Sequence, residues 1–473
     1  MAANVAAPRT HNDYSLLGPR AMQAVQQGLA DAKWYASPIP REKMRELLER
    51  RDGPAVRDTL LWFALLIGFG AAGLALWGTS WAIIPFAIYG VLYGSVSDSR
   101  WHETGHGTAF KTDWLNNAVY EIASFMVIRE SIVWRWSHAR HHSDTIIVGR
   151  DREIGALRPV SLIEIVLKII NVPHIFKYYQ SVLRHALGRM TPDELTFIPE
   201  SEFNGVYLRA RLYVLIYASV LGLAIATRSI LPLMFIGLPS LYGDWLQFLY
   251  GLQQHAGLAE DVLDHRLNTR TVYLNFINRY LYWNMGYHIE HHMFPMVPYY
   301  NLGKLHELIK ADCPPAYNGL IDAYLEVIPA LIRQSKDPNY FVQRVLPPSA
   351  QPSDTPRTTE AITSQAKPDA EGWLEVCDLD ILLPGEPVRF EHEANTYAIY
   401  RTSIGQLFAS DGRCTHGNGQ LTEGFLQGTC IECPKHNGRF DVRDGSIRRP
   451  PPRVALKTYP VRQKSGKVQL KVA

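Results

Sequence analysis

The stretch TLLWFALLIGFGAAGLALWGTSWAIIPFAIYGVLYGSVS, residues 59–97, runs for 39 residues without an Asp, Glu, Lys or Arg. A soluble domain would need a very large core to bury it. As a helix at ~1.5 Å per residue it would reach ~58 Å, about two hydrocarbon thicknesses of ~30 Å. Trp77-Gly78-Thr79-Ser80-Trp81 interrupts it near the middle. Glycine breaks the helix and tryptophan favours the membrane interface, so the run reads as two spans, 59–77 and 81–97, joined by a tight turn. A second apolar pair follows at 207–227 and 229–254, broken at Thr227-Arg228. The segment between the pairs, 98–206, holds twelve Lys or Arg, whereas the two turns hold none and one (Arg228). The positive-inside rule places 98–206 and both termini in the cytoplasm. Residues 160–188 mix apolar and basic side chains and read as a helix lying on the membrane surface. The expectation is an α-helical membrane domain of four transmembrane helices with a cytosolic helical cap, multi-pass in a bacterial-type inner (cytoplasmic) membrane.

The rest of the chain has a different character. Residues 1–57 are polar and helical in pattern, without the apolar core of a cleavable signal peptide. Residues 346–371 are dominated by Pro, Ser, Thr and Ala and read as a flexible linker. From 372 to 473 short β-runs alternate with turns such as Asp411-Gly412 and Asp444-Gly445, which predicts a small all-β domain. The expected division is 1–57, a cytosolic helical segment; 58–345, the membrane domain; 346–371, the linker; and 372–473, the β domain. A net charge of +3 is too small to suggest nucleic acid. Three of the five cysteines (Cys414, Cys430, Cys433) lie within twenty residues, which suits metal binding in a reducing compartment better than a disulfide framework.

Three histidine boxes stand near the span ends: His102-Glu103-Thr104-Gly105-His106, His138-Ala139-Arg140-His141-His142 and His288-Ile289-Glu290-His291-His292. Spacings of three and four put each set on one side of a helix. With histidine at 17 of 473 residues, a second chance HxxHH is expected only about 0.0002 times per chain, so the boxes are not scattered surface histidines. Eight imidazoles exceed the needs of one metal and suit two. His255, at the end of the fourth expected span, is a ninth candidate. The first box also reads H-E-x-x-H, the zinc metalloprotease motif. A protease, however, needs one further ligand and not six more histidines, and zinc has no redox chemistry. Glu103 and Asp244 are candidates for a catalytic or supporting role. Asp244 lies three turns before His255; it either lines the substrate pocket or pairs with Arg228 or a polar helix neighbour. Asp98 and Asp144 are positioned to orient a ligand imidazole, or else are surface carboxylates.

Cys414-Thr415-His416 is followed by Cys433-Pro434-Lys435-His436. Two Cys and two His in this pairing match a Rieske cluster, with two thiolates on one iron and two imidazoles on the other. A zinc site is the competing reading. Cys430 completes a Cys-x-x-Cys with Cys433 and reads as an ordinary small residue, since Cys433 is already engaged.

On these motifs, residues 60–315 resemble the membrane fatty acid desaturase superfamily, and 372–473 resemble the Rieske ferredoxins of oxygenase systems. Ser97–Phe110 and Trp283–Pro298 are most similar to the desaturase-like monooxygenases of rhizopine catabolism, whose ferredoxin is a separate protein. The resemblance implies a di-iron centre held by His102, His106, His138, His141, His142, His255, His288, His291 and His292. It implies a [2Fe-2S] cluster on Cys414, His416, Cys433 and His436, and O2 as co-substrate. The expected function is an O2-dependent monooxygenase, hydroxylating a C–H bond or demethylating oxidatively, fed with electrons by its own Rieske domain at a cytoplasmic active site. The alternative is a fatty acyl desaturase with the same cofactors. A separate NAD(P)H-dependent ferredoxin reductase, the lipid bilayer and a small-molecule or lipid substrate are the expected partners.

Overall fold

The computed structural model describes residues 13–472 apart from 31, 349, 351–360, 418 and 436. Chain contacts divide them into two compact units. Residues 13–37, 49–293 and 297–350 form a helical unit; residues 38–48, 294–296 and 361–472 form a unit built on β-strands.

The helices that carry the argument are α1 (Asp52–Ala75), α2 (Ile83–Tyr93), α3 (Ser95–His106), α4 (Ser131–Ser143), α5 (Leu162–Ile169), α6 (Val172–Ala186), α7 (Phe203–Thr227), α8 (Trp245–His255) and α9 (His288–Met293). Among the described residues three helices are long and apolar enough to cross a membrane: Arg41–Ala75, Ser80–His106 and Glu200–Thr227. The expected spans at 59–77, 81–97 and 207–227 fall inside them. The fourth, 229–254, is not one helix. It folds as Leu231–Phe235, Pro239–Tyr242 and α8. Pro232 and Pro239 each lack a backbone donor, and Gly237 turns the chain with φ +105°. The last of these pieces, α8, lines a cavity.

The surface of α1 explains its solvent. Leu60, Leu61, Ile67 and Leu74 are exposed, while Trp62, Leu66, Gly70 and Gly73 face inward. A Cβ on Gly73 would meet the Phe86 ring at 2.8 Å, so the small residue lets α1 approach α2. Gly90 and Gly243 approach more closely still: a Cβ on Gly243 would lie 1.8 Å from the Gly90 carbonyl oxygen. Ser95 Oγ donates to Gly243 O at 2.6 Å and accepts from Gln247 N at 3.0 Å. Backbone contact thus fixes the start of α8 beside α3.

The expected surface helix is two helices. Asn171, with φ 54°, ends α5 and its side-chain amide donates to Ser240 O at 2.8 Å. Ile163 and Phe176, on α5 and α6, remain exposed.

In the β unit a five-stranded sheet contains Ile362–Ser364, Val388–His392, Asn395–Arg401, Leu407–Asp411 and Thr458–Tyr459. A three-stranded sheet holds Trp373–Asp378, Val461–Lys464 and Lys467–Lys471. A four-stranded sheet holds Phe425–Gln427, Cys430–Glu432, Arg439–Asp441 and Ile447–Arg449. One core gathers Leu374, Phe390, Ile399 and Val468; another gathers Tyr400, Cys414, Leu421, Cys433 and Phe440. Two expected boundaries shift. Ile362–Ser364 pairs in parallel with Val388–His392, so the far end of the expected linker is a strand, and residues 351–360 lie outside the described residues. The division at 57/58 falls within α1, and residues 38–48 group with the β unit.

Candidate metal centre

Each histidine box is built by a short helix. α3 places His102 and His106 one turn apart, and Gly107, with φ +68°, terminates it. α4 carries His138, His141 and His142 in its last turns. α9 carries His288, His291 and His292, all buried. His255 is the final residue of α8.

All nine predicted histidines converge. His102, His106, His138, His142 and His291 offer nitrogens within 4.8 Å of one another, and His141, His255 and His292 form a second such group. His288 falls outside both by that measure, yet its Nε2 lies 3.1 Å from His292 Nε2. The groups adjoin: the His142 and His292 rings stack with centroids 4.4 Å apart.

The nitrogens fit metal ions. Nε2 of His138 is 3.2 Å from Nε2 of His106, and Nε2 of His291 is 3.2 Å from Nε2 of His142. With bonds of ~2.0–2.1 Å, as in zinc–imidazole sites, two donors on one ion stand ~2.9–3.4 Å apart. His255 donates its Nδ1–H to Asn268 O at 2.9 Å, leaving a buried Nε2 lone pair without a partner. Imidazole suits Fe, Cu, Zn and Ni alike, so the donor set does not select among them.

Carboxylates orient one ring in each group. His141 donates Nδ1–H to Asp151 at 2.8 Å, and His138 donates Nδ1–H to Glu153 at 2.9 Å. Burial alone would raise the Glu153 carboxyl, but the charge and hydrogen bond of His138 hold it down to about 2. Burial opposes the charged form of His141, and Asp151 outweighs it and raises the imidazole. The expected orienting acids do neither job. Asp98 pairs with Arg129, and Asp144 pairs with Arg150 at 3.0 Å and Arg140 at 3.9 Å. Asp151 and Glu153 escaped the sequence reading because they act from a loop, where no helical period links them to a box. Their one signal is Gly149-Arg-Asp-Arg-Glu153, a charged turn close behind the second box. His265 was also missed. Its buried ring stacks on Trp34 at 4.3 Å and lies 5.1 Å from the His292 ring.

Glu103 contacts none of the box imidazoles. Its Oε1 accepts from Thr108 Oγ1 at 2.6 Å and from Tyr299 N at 3.1 Å, tying the first box to the loop beyond the third. The structure therefore gives Glu103 a bracing position away from the histidine faces. Asp244 is on a cavity of about 270 Å³. His102, His138, His141, His255 and His288 form one wall of it, and Trp101, Trp134, Tyr178, Phe248 and Tyr282 contribute rings. Asp244 lines this cavity, and among the described residues no ion pair joins it to Arg228.

In the β unit, Cys414 and Cys433 are buried and face one another from two similar loops. Cys414 N donates to Gly419 O, and Cys433 N donates to Gly438 O, both at 2.8 Å. The hydrogen bond with Cys433, aided by the backbone N–H groups of His416 and Gly417, draws the Cys414 thiol down to about 7 against the effect of burial. Two buried cysteine sulfurs held side by side suit an iron–sulfur cluster. His416 is half-buried on the Cys414 loop, while His436 lies outside the described residues. Cys430 is on a separate strand, opposite Asp441.

Comparison with known proteins agrees with this division. The profile described as "Fatty acid desaturase" matches residues 78–324, just over half of the chain, and that described as "Rieske [2Fe-2S] domain" matches 372–460. The biphenyl dioxygenase ferredoxin subunit of Pseudomonas sp. (strain KKS102) is 42% identical over 91 residues, which is 19% of this chain and 83% of that protein. The ferredoxin component of the naphthalene 1,2-dioxygenase/salicylate 5-hydroxylase systems of Ralstonia sp. is 37% identical over 102 residues, 22% of this chain and 97% of that protein. The solved Sphingomonas yanoikuyae B1 ferredoxin is 38% identical, covers 21% of this chain and 98% of its own, and has a TM-score of 0.20.

Proposed function

The chain belongs to the fatty acid desaturase family and carries a Rieske [2Fe-2S] domain behind its desaturase region, and from that premise we propose that it is a membrane-bound di-iron monooxygenase supplied with electrons by its own Rieske domain. The observation that carries the reading is the gathering of eight imidazoles into two adjoining groups, with a ninth, His288, against His292, beside a cavity. His102, His106, His138, His142 and His291 would hold one iron; His141, His255, His292 and His288 would hold the other. The bound pair supplies activation of O2 for attack on an unactivated C–H bond. The overall conversion takes C–H, O2, two electrons and two protons to C–OH and water. A hydroxyl placed next to nitrogen or oxygen collapses with loss of formaldehyde, which amounts to demethylation.

The chain's own residues prepare this chemistry. Asp151 and Glu153 hold His141 and His138 with Nδ1 protonated, so that Nε2 is free to ligate. Thr145 Oγ1 accepts from His292 Nδ1–H at 3.3 Å and donates to His141 O at 2.7 Å, joining the second and third boxes. In the Rieske domain, Cys414, His416, Cys433 and His436 would hold the cluster. A single cluster of this kind passes one electron at a time, so each turnover draws on it twice, and a separate NAD(P)H-dependent reductase recharges it. The span helices and the basic 98–206 segment support placement in a cytoplasmic membrane with the metal site on the cytosolic side.

The test is turnover of the iron-loaded protein under 18O2 with lipids and methylated small molecules, read by mass spectrometry. A labelled hydroxyl, or formaldehyde release, is expected. A new double bond without label would replace this reading with the desaturase. Zinc in place of iron would remove both.

A further inference from the structure

The cavity beside the histidines carries one carboxyl group that no side chain of the chain pairs with among the described residues. Its acids and bases are otherwise matched. Asp98 is paired with Arg129, Glu260 with Arg158 at 3.3 Å, and Glu153 with His138 at 2.9 Å. Lys168 is paired with Glu164 at 3.0 Å. Arg152 reaches Glu194 at 4.0 Å and lies over the Trp134 ring. Burial pulls His174 down to about 4, so it stays neutral. Asp244 alone has neither hydrogen bond nor ion pair through its carboxylate among the described residues. The nearby cation, Arg129, gives its guanidinium to Asp98 and covers the Trp101 and Trp134 rings at 4.4 and 4.9 Å.

A carboxyl group in a low-dielectric cavity keeps its proton until a cation completes it as a carboxylate. The rings of Tyr178, Phe248 and Tyr282 line the same cavity, and an aromatic face attracts an organic cation. The volume, about 270 Å³, is at the small end of ligand sites, which run ~300–1,000 Å³. It suits a compact molecule better than an extended acyl chain.

We propose that Asp244 is the residue that selects the substrate, and that the substrate is a compact organic cation, an amine or quaternary ammonium, whose charged nitrogen sits at Asp244 while a neighbouring C–H faces the histidine wall. This rests on the oxidase reading above for the identity of the site and narrows its substrate class. The backbone contact between Gly90 and Gly243 fixes Asp244 immediately next to it, so the carboxylate is presented from a rigid point.

The experiment uses the full, iron-loaded chain in lipid nanodiscs. Choline and tetramethylammonium are the cationic probes, and 3,3-dimethylbutan-1-ol is the neutral isostere of choline. Calorimetry on the oxidised enzyme measures binding without turnover. Choline is expected to bind at least tenfold more tightly than its isostere. Asp244→Asn should abolish that preference and leave the affinity for the neutral alcohol unchanged, while Asp244→Glu should retain it. In O2-uptake assays with a cation that is turned over, Asp244→Asn should raise KM more than it lowers kcat. Equal binding of choline and the alcohol, no binding of either cation at millimolar concentration, or a preference that survives in Asp244→Asn overturns the proposal. Iron-loaded protein that binds cations but consumes no O2 with any substrate overturns the oxidase reading and leaves this recognition standing. Protein that oxidises a neutral lipid yet ignores cations does the reverse.

Discussion

Replacing Asp151 by Asn should empty one half of the metal centre and spare the other. Asp151 is buried and accepts three hydrogen bonds: Oδ2 takes His141 Nδ1–H at 2.8 Å and Ile146 N–H at 2.8 Å, and Oδ1 takes Glu153 N–H at 2.7 Å. Asparagine keeps the shape but has one accepting oxygen. Whichever way the amide turns, its NH2 faces a donor, and a buried donor left unsatisfied costs about 1–3 kcal/mol. Loss of an orienting partner behind a metal ligand typically weakens metal binding ~10–100-fold, which is ~1.4–2.8 kcal/mol. The two estimates agree in size. Asp151 touches His141, in the group with His255 and His292, whereas Glu153 touches His138, in the group of five. Asp151→Asn should therefore release iron from the smaller group at ~10–100-fold lower chelator concentration. Glu153→Gln should release it from the larger. Iron per chain is measured after dialysis against graded chelator, with Mössbauer spectra to follow the two populations. Simultaneous loss of both irons in both variants, or full retention in both, would refute the assignment of one acid to each group.

Three further outcomes are expected. Cys414→Ser should abolish turnover driven by the reductase while the desaturase region still retains its iron; visible absorption of the cluster and iron analysis read the two sites separately. Gly243→Ala places a Cβ 1.8 Å from the Gly90 carbonyl oxygen, and the neighbour is backbone that cannot swing aside. Overpacking typically costs ~1–3 kcal/mol, and this variant should lie at or above the upper end in detergent unfolding, with Gly222→Ala, in open space, as the neutral control. His185 lies buried between Glu130 at 2.7 Å and Glu194 at 3.1 Å. Burial opposes its charge, but the two carboxylates prevail and raise it to about 9. A raised cationic group stabilises fully below its unfolded value of ~6.5 and loses that contribution as pH climbs through the folded value. The thermal midpoint should fall between about pH 7 and 9.5, and His185→Gln should flatten that slope.

What was legible in the sequence was whatever obeys a period or a spacing. The charge-free run gave away α1 and α2, and residues three and four apart gave the boxes, because one helix face fixes where those side chains go. What failed depended on contacts between distant segments. The fourth span looked continuous because hydropathy weighs Pro232, Gly237, Pro239 and Gly243 too lightly against their apolar neighbours. Asp98 and Asp144 were reasonable partners by helical spacing, yet arginines from elsewhere in the fold claimed them. Asp151 and Glu153 took their place from a loop that sequence alone cannot aim. Ile362–Ser364 looked like linker because a three-residue strand has no period of its own and exists only through its partner Val388–His392.

The carboxylates around the histidines divide by what they touch, and that division bears on function. As metal ligands the box imidazoles would be neutral donors and would bring no charge to offset two metal ions. Asp151 and Glu153 are hydrogen-bonded to ring nitrogens of the candidate ligands, one in each group, and through those bonds they would lend negative charge to bound metals. Asp98 is cancelled by Arg129. Among the described residues Asp244 has no hydrogen bond or ion pair with a histidine or a cation, yet it lines the same cavity. If the fold needed it only to compensate the metals, a position behind a ligand ring would serve better, as it does for the other two. Its place on the open wall makes sense when the missing positive charge arrives with the substrate.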